Sequence, residues 1–215
     1  MSHFLLHIET ATPVCSVCIS RDGQLIARSE SRQLNTHAAT LAPLIEDLFM
    51  QSCLKATDLS AVCVSEGPGS YTGLRIGMAT AKGICYAVSV PLILVPTLAS
   101  MAWGMMRFMS NEVVLLPALD ARRNDVYYAL FDRDLNEIVP ANCQSAEEVN
   151  HLLECRQLKA LAAGTGAEKF SPHPKNITIL HEDIMDAAHM IPISYNKFLR
   201  HEFASLAYSE PMYRK

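Results

Sequence analysis

One order of elements is written twice along this chain of 215 residues, and that repetition limits the folds open to it. The first pass begins with an apolar strand, His3 to Ile8, that ends in an acid, Glu9, and the turn Thr10-Ala11-Thr12-Pro13. Val14 to Ile19 reads as a second strand, and Asp22-Gly23 supplies a hairpin turn into a third, Gln24 to Glu30. Leu41, Leu44, Ile45, Leu48 and Phe49 then fall at i, i+3, i+4, i+7 and i+8, one face of a helix with Asn35 or Thr36 as its cap. Ala61 to Val64 is a buried strand, Gly67-Pro68-Gly69-Ser70 breaks the chain, and a helix runs from about Thr72 to Ala87. Leu92 to Val95 is a further strand, after which Thr97 caps a Met-rich helix ending near Met109.

The second pass repeats the order. Val113 to Leu119 is an apolar strand ending in Asp120, with a polar turn from Ala121 to Asn124. Strands follow at Val126 to Phe131 and Glu137 to Val139, separated by a turn over Asp132 to Asn136. Ser145-Ala146-Glu147-Glu148 is a capping box for a helix through Leu153, and the strand Ala160 to Ala163 is broken by Gly164-Thr165-Gly166. Glu9 thus matches Asp120, and the Gly67 loop matches the Gly164 loop, at offsets of about one hundred residues. The expectation is an α/β chain of two β-β-β-α-β-α lobes, residues 1–110 and 111–215; chance alternation in an ordinary α/β protein is the alternative. A last helix is expected from about Ser194 to Ala207, with the tail Ser209-Glu210-Pro211-Met212-Tyr213 leaving it.

Composition removes several classes of function. Half the residues are hydrophobic, enough for a sizeable core and against wholesale disorder. The net charge of −4 lacks the basic field of a free-standing nucleic-acid binder. No apolar run approaches the ~18 residues of a membrane helix, and Met1 to His7 has no basic leader, so no membrane association is expected. Seven cysteines, an odd number, read as reduced thiols of a cytoplasmic protein.

Gly67-Pro68-Gly69-Ser70-Tyr71-Thr72-Gly73 is the most informative stretch. Its glycines could bring backbone N–H groups to an anion at a helix N-terminus. The spacing fails both the dinucleotide fingerprint, which needs Gly at Thr72, and the P-loop, which needs a Gly-Lys pair. A nucleophile elbow at Ser70 would need glycines where Pro68 and Thr72 stand. In the helix that follows, Gly73, Gly77 and Ala81 recur every four residues. Each interior glycine costs about 1 kcal/mol against alanine, so a backbone must approach this stripe closely: either the neighbouring sheet or a helix of another chain.

Metal and acid candidates are few. Cys15 and Cys18 sit three apart on a strand and so face opposite sides of the sheet; no structural zinc is expected there. His37 has Thr40 and Leu41 at i+3 and i+4, so no helical histidine pair forms, and no metal or cofactor is expected. Glu9 and Asp120 are the best catalytic candidates, because in two-lobed phosphotransferases such acids hold magnesium-bound water. Neither following turn contains glycine, which argues against wrapping a phosphate, though Arg122 and Arg123 could contact an anion or cap the loop.

Taken together, Ile8-Glu9-Thr10-Ala11-Thr12, the run from Glu66 to Gly77, Asp120-Ala121-Arg122, the Gly164-Thr165-Gly166 turn and Glu210-Pro211-Met212-Tyr213 resemble the TsaB (YeaZ) family over essentially the whole chain. The run Gly67 to Gly77 is the most specific match. The resemblance implies an actin/Hsp70-like (ASKHA) fold of two ribonuclease-H-like lobes. It also implies a non-catalytic partner and activator of a TsaD-like paralogue, which carries the transferase activity that forms threonylcarbamoyladenosine beside the anticodon of tRNA. A TsaE-like ATPase would join them, tRNA would be met only through the complex, and a homodimer is possible when the chain is alone. Two departures stand out: Glu9 replaces the aspartate of many members, and the tail is shorter than in longer relatives.

By that resemblance the helix of His37 to Phe49 and the helix of Thr72 to Ala87 would pack on the matching pair of the partner. The interface would use His37, Leu41, Leu44, Ile45 and Leu48 from the first, and Gly73, Arg75, Ile76, Gly77, Thr80 and Ala81 from the second, which gives the small stripe a role. Glu9, Thr10, Asp120, Arg122 and Gly164 would line a degenerate nucleotide cleft. The competing readings are an active ATP-dependent phosphotransferase of the same fold and a peptidase; no nucleophile stands beside a base for the latter.

Overall fold

The computed structural model describes residues 2–33, 36–110, 112–171 and 174–212. Asn35, one of the two expected caps, and Tyr213 of the tail lie outside the described residues.

The first sheet has the order β3-β2-β1-β4-β5, formed by β1 (Phe4–Glu9), β2 (Cys15–Arg21), β3 (Gln24–Ser31), β4 (Leu59–Gly67) and β5 (Leu92–Pro96). β1 runs antiparallel to β2, with His7 opposite Cys18 and Glu9 opposite Ser16, and parallel to β4, with His7 beside Cys63. Two helices cover one face: α1 (His37–Ser52) and α2 (Tyr71–Val88). Leu6, Ile8, Val17, Ile19, Val62 and Val64 pack there against Leu41, Ile45, Leu48, Met78 and Ala81. The other face, with Leu5, Cys18, Ala61, Cys63 and Ile93, is covered by a 3-10 turn, Ala187–Met190, and α5 (Ile191–Leu199). A strand buried on both sides loses its polar alternation, which is why β1 and β4 read as continuous apolar runs. Cys15 belongs to the first face and Cys18 to the second, as their spacing requires.

The second sheet has the same order shifted by one set of strands, β10-β9-β6-β7-β8. Its strands are β6 (Val114–Asp120), β7 (Asp125–Phe131), β8 (Glu137–Ser145), β9 (Ala160–Ala163) and β10 (Ile177–Ile179). Between the sheets in sequence lies α3 (Thr97–Met105), and α4 (Ala146–Cys155) follows β8. The expected capping box opens α4: Ser145 Oγ accepts the Glu148 N–H at 3.2 Å, and Glu148 Oε2 accepts the Ser145 N–H at 2.9 Å.

Both sheets have the first three strands antiparallel and the fourth and fifth parallel to the first, so the repeat is real in topology. It is incomplete in its helices: among the described residues between β9 and β10 there is a 3-10 turn, Ala167–Phe170, and no α-helix. The expected boundary at 110/111 separates the sheets. Among the described residues, 2–97 with 185–212 form one compact unit and 98–184 form another.

Four local expectations are corrected. Thr36 stands at the N-cap of α1, but its hydroxyl donates to the Gln33 carbonyl at 2.8 Å instead of capping. Thr97 is the first residue of α3 rather than its cap, and the α-helix stops at Met105, where a 3-10 turn over Met106–Phe108 takes over. β8 extends to Ser145, past Pro140, because an edge strand can spare one N–H. The last helix starts three residues early, with Pro192 in its first turn, and ends at Leu199; His201 at φ 56° turns the chain away.

Candidate functional site

At the end of β1 the chain closes over its own acid. Glu9 is wholly buried; Oε1 accepts the Ala11 N–H at 2.7 Å, and Oε2 has no hydrogen-bond partner among the described residues. Burial pushes its carboxyl up to about 7, against the opposing pull of the Ala11 N–H and the Ser65 hydroxyl. A carboxyl in this setting is half-protonated near neutrality and offers no exposed oxygen to a hydrated cation.

The glycines after β4 are explained at the same place. The Ala11 carbonyl accepts the Ser70 N–H at 2.6 Å, and Ser70 Oγ caps α2 by accepting the Gly73 N–H at 3.2 Å. A β-carbon at Gly73 would collide with the Thr10 carbonyl oxygen, and one at Gly77 with the Thr10 hydroxyl. The stripe Gly73, Gly77, Ala81 is buried against its own unit. Of the two explanations the sequence left open, the close approach is to the chain's own β1–β2 turn.

The other residues expected at a partner interface divide in the same way. His37 is buried, its Nε2 2.9 Å from the Thr12 carbonyl, and Leu41, Ile45 and Leu48 belong to the first core. Leu44 and Ile76 are half-buried against that core. Arg75 is exposed and lies over the Tyr71 ring, 4.2 Å from its centroid. Thr80 alone among the second set opens into a groove of about 560 Å³ between α1 and α2, whose walls are Ile45, Phe49, Met50, Leu54 and Ile84, with Glu46 and Cys53 at its margin. Met50 is 64% exposed and Tyr86, also on α2, 84% exposed. The sequence reading missed both, because it chose the strongest apolar period, and that period marks the core. The signal that could have found Met50 is the weaker adjoining stripe Ala42, Phe49, Met50, Cys53.

In the second unit Asp120 ends β6 exposed and already engaged. Its Oδ1 accepts from Lys169 Nζ at 2.6 Å and from the Arg122 N–H at 2.6 Å, while its own N–H donates to Thr165 Oγ1 at 3.1 Å. The Lys169 ammonium holds this carboxyl below the usual range. Arg122 and Arg123 are exposed at φ 72° and 47°, a left-handed pair built without glycine. Gly164, at φ 104°, faces the Ala118 carbonyl. Among the described residues no three histidine, cysteine or acidic side chains come together in a way that could hold a metal ion.

The sheet order and its repetition define an α/β protein of the actin/Hsp70-like class, with ribonuclease-H-like lobes. A solved activator of 2-hydroxyisocaproyl-CoA dehydratase from Clostridium difficile shares that fold at TM-score 0.53 and 10% identity, over 94% of this chain and 96% of the activator. Within the class, a family model described as TsaD, tRNA N6-adenosine threonylcarbamoyltransferase, matches residues 26–206. The tRNA threonylcarbamoyladenosine biosynthesis protein TsaB of Escherichia coli K12 is 31% identical over 97% of this chain and 93% of its own length. YeaZ from Pseudomonas aeruginosa superposes at TM-score 0.84 and 22% identity, over 98% of this chain and 99% of that one. The chain belongs to the TsaB (YeaZ) family.

No helix among the described residues is long and apolar enough to cross a membrane.

Proposed function

We propose that this chain is a non-catalytic subunit in the formation of threonylcarbamoyladenosine in tRNA, and that it activates a TsaD-like transferase by docking on it through α1 and α2. The observation that carries the reading is the apolar groove between those helices, with Phe49, Met50 and Ile84 at its walls and Tyr86 standing clear of the surface. Exposed apolar patches bounded by polar residues are where protein partners bind. The reading is supported by the state of the two strand-end acids: Glu9 is buried and Asp120 is neutralised by Lys169. The TsaE-like ATPase and tRNA would meet the chain within the assembled complex, in the cytoplasm, where this modification would be carried out.

The test is reconstitution with the TsaD-like protein of the same cell, with and without ATP, followed by mass measurement in solution. A 1:1 complex that forms the modified nucleoside, where neither protein alone does so, is the expected result. A homodimer of this chain that persists and excludes the TsaD-like protein contradicts the reading.

A further inference from the structure

We propose that His151 and Cys155, on the exposed side of α4, form a two-ligand chelate for a zinc ion. The residues stand one helical turn apart and so rise from the same stripe. Cys155 Sγ lies 3.5 Å from His151 Nε2, and both side chains are exposed. Zinc holds thiolate sulfur at about 2.3 Å and imidazole nitrogen at about 2.0–2.1 Å, and a tetrahedral angle between those bonds separates the two ligand atoms by roughly 3.5 Å. The pair already has the bite of a tetrahedral ion, so binding asks for no movement of the backbone.

Cys155 is the last residue of α4, at the negative end of the helix dipole and beside Arg156 at the C-cap. Glu147, one turn before His151, lines the same surface groove of about 560 Å³ as the pair, together with Glu148 and Leu152. A thiolate with an imidazole selects zinc over magnesium or calcium, which prefer oxygen. No third protein ligand joins the pair among the described residues, so water fills the other two positions. The site is therefore more exchangeable than a four-ligand structural centre. On binding, the Cys155 thiol passes its proton to solvent as the zinc–sulfur bond forms, and neutral His151 donates the Nε2 lone pair; nothing is oxidised or reduced. The same 3.5 Å contact without metal is a thiol–imidazole hydrogen bond, and that is the rival account.

The test uses the full chain freed of metal. Zinc is titrated against a competing chromophoric chelator, and cobalt(II) is added separately to look for thiolate-to-metal charge-transfer absorption. The parent, His151→Ala, Cys155→Ser and a control, Cys53→Ser, which removes another exposed thiol, are compared. About one zinc per chain is expected for the parent and the control. Loss of an outer-shell partner alone costs a metal site 10–100-fold, so removing either ligand should weaken binding roughly tenfold or more, and Cys155→Ser should also lose the charge-transfer band. Zinc affinity in the parent no better than in the two ligand variants, or a band that survives Cys155→Ser, overturns the proposal.

Discussion

The hydroxyl of Thr10 lies against the Cα of Gly77, in the space a β-carbon would need, and the Thr10 carbonyl takes the same position at Gly73. Helix α2 is thus seated directly on the turn that follows β1. Gly77→Ala gains about 1 kcal/mol in helix propensity, yet overpacking a fitted contact costs ~1–3 kcal/mol. The net effect expected is a lower melting temperature. Gly73→Ala should lower it further, because a backbone carbonyl cannot rotate aside as a threonine side chain can. Thermal unfolding of both variants checks the order; an unchanged Gly73→Ala melting temperature contradicts this packing.

Glu9 makes stability fall as pH rises from about 4.5 to 7. Its carboxyl is raised from 4.5 to about 7 in the folded chain, so the native state keeps a proton that the unfolded chain has lost. The contribution is whole below pH 4.5 and disappears as pH rises through 7. Glu9→Gln should therefore melt higher than the parent at pH 8 and close to it at pH 4.5. A difference of the same size at both pH values would show that the carboxyl does not titrate on unfolding.

His7 acts in the opposite direction. Its ring is buried between Ser20 Oγ, 2.9 Å from Nε2, and Ser194 Oγ, 3.2 Å from Nδ1, and burial lowers it from 6.5 to about 3. The unfolded chain binds the extra proton, so this contribution is whole above pH 6.5 and is lost as pH falls toward 3, by up to about 1.4 kcal/mol per pH unit. Between pH 4.5 and 6.5 the slopes of His7 and Glu9 cancel in the parent. In the Glu9→Gln variant the cancellation is removed, and denaturant unfolding across that range should show stability falling as the solution is acidified.

Much of this fold was legible because the apolar periods are set by burial. β1 to β7, β9, α1, α2 and α4 are legible within a few residues, and the Ser145–Glu148 box is legible outright. What escaped was set by tertiary contact: β10 is three residues long, and α5 ends where Leu199 leaves the sheet. The Gly73–Gly77 stripe shows the limit most clearly. A requirement for small side chains can be read from sequence, but the identity of the neighbour cannot, and Thr10 is sixty-odd residues away. Met50, which lines the groove, sits on a stripe weaker than the core period beside it, and the exposed Tyr86 outside that lining has no periodic partner to reveal it.

The engagement of Asp120 predicts catalytic silence. The Lys169 ammonium already offsets the charge of this acid, and Oδ1 accepts from both Lys169 and the Arg122 N–H, which weakens its hold on hydrated magnesium. The isolated chain should hydrolyse ATP no faster than a buffer control. Magnesium-dependent turnover abolished by Asp120→Asn would restore the phosphotransferase reading.

The central claim is that the chain works through the groove between α1 and α2, and Met50→Lys, which suits the end of α1 beside Glu46 and Asp47, tests it most directly. Met50 is largely exposed, so the substitution should leave the melting temperature within about 1–2 °C of the parent, as surface changes within ±0.5 kcal/mol do. A charge placed in an apolar contact of hot-spot quality costs ~2–4 kcal/mol, a loss of roughly thirty- to nearly a thousandfold in affinity for the TsaD-like partner. Titration calorimetry of parent and variant against that partner supplies the number. A variant that is folded and binds with the parent's dissociation constant would contradict the account.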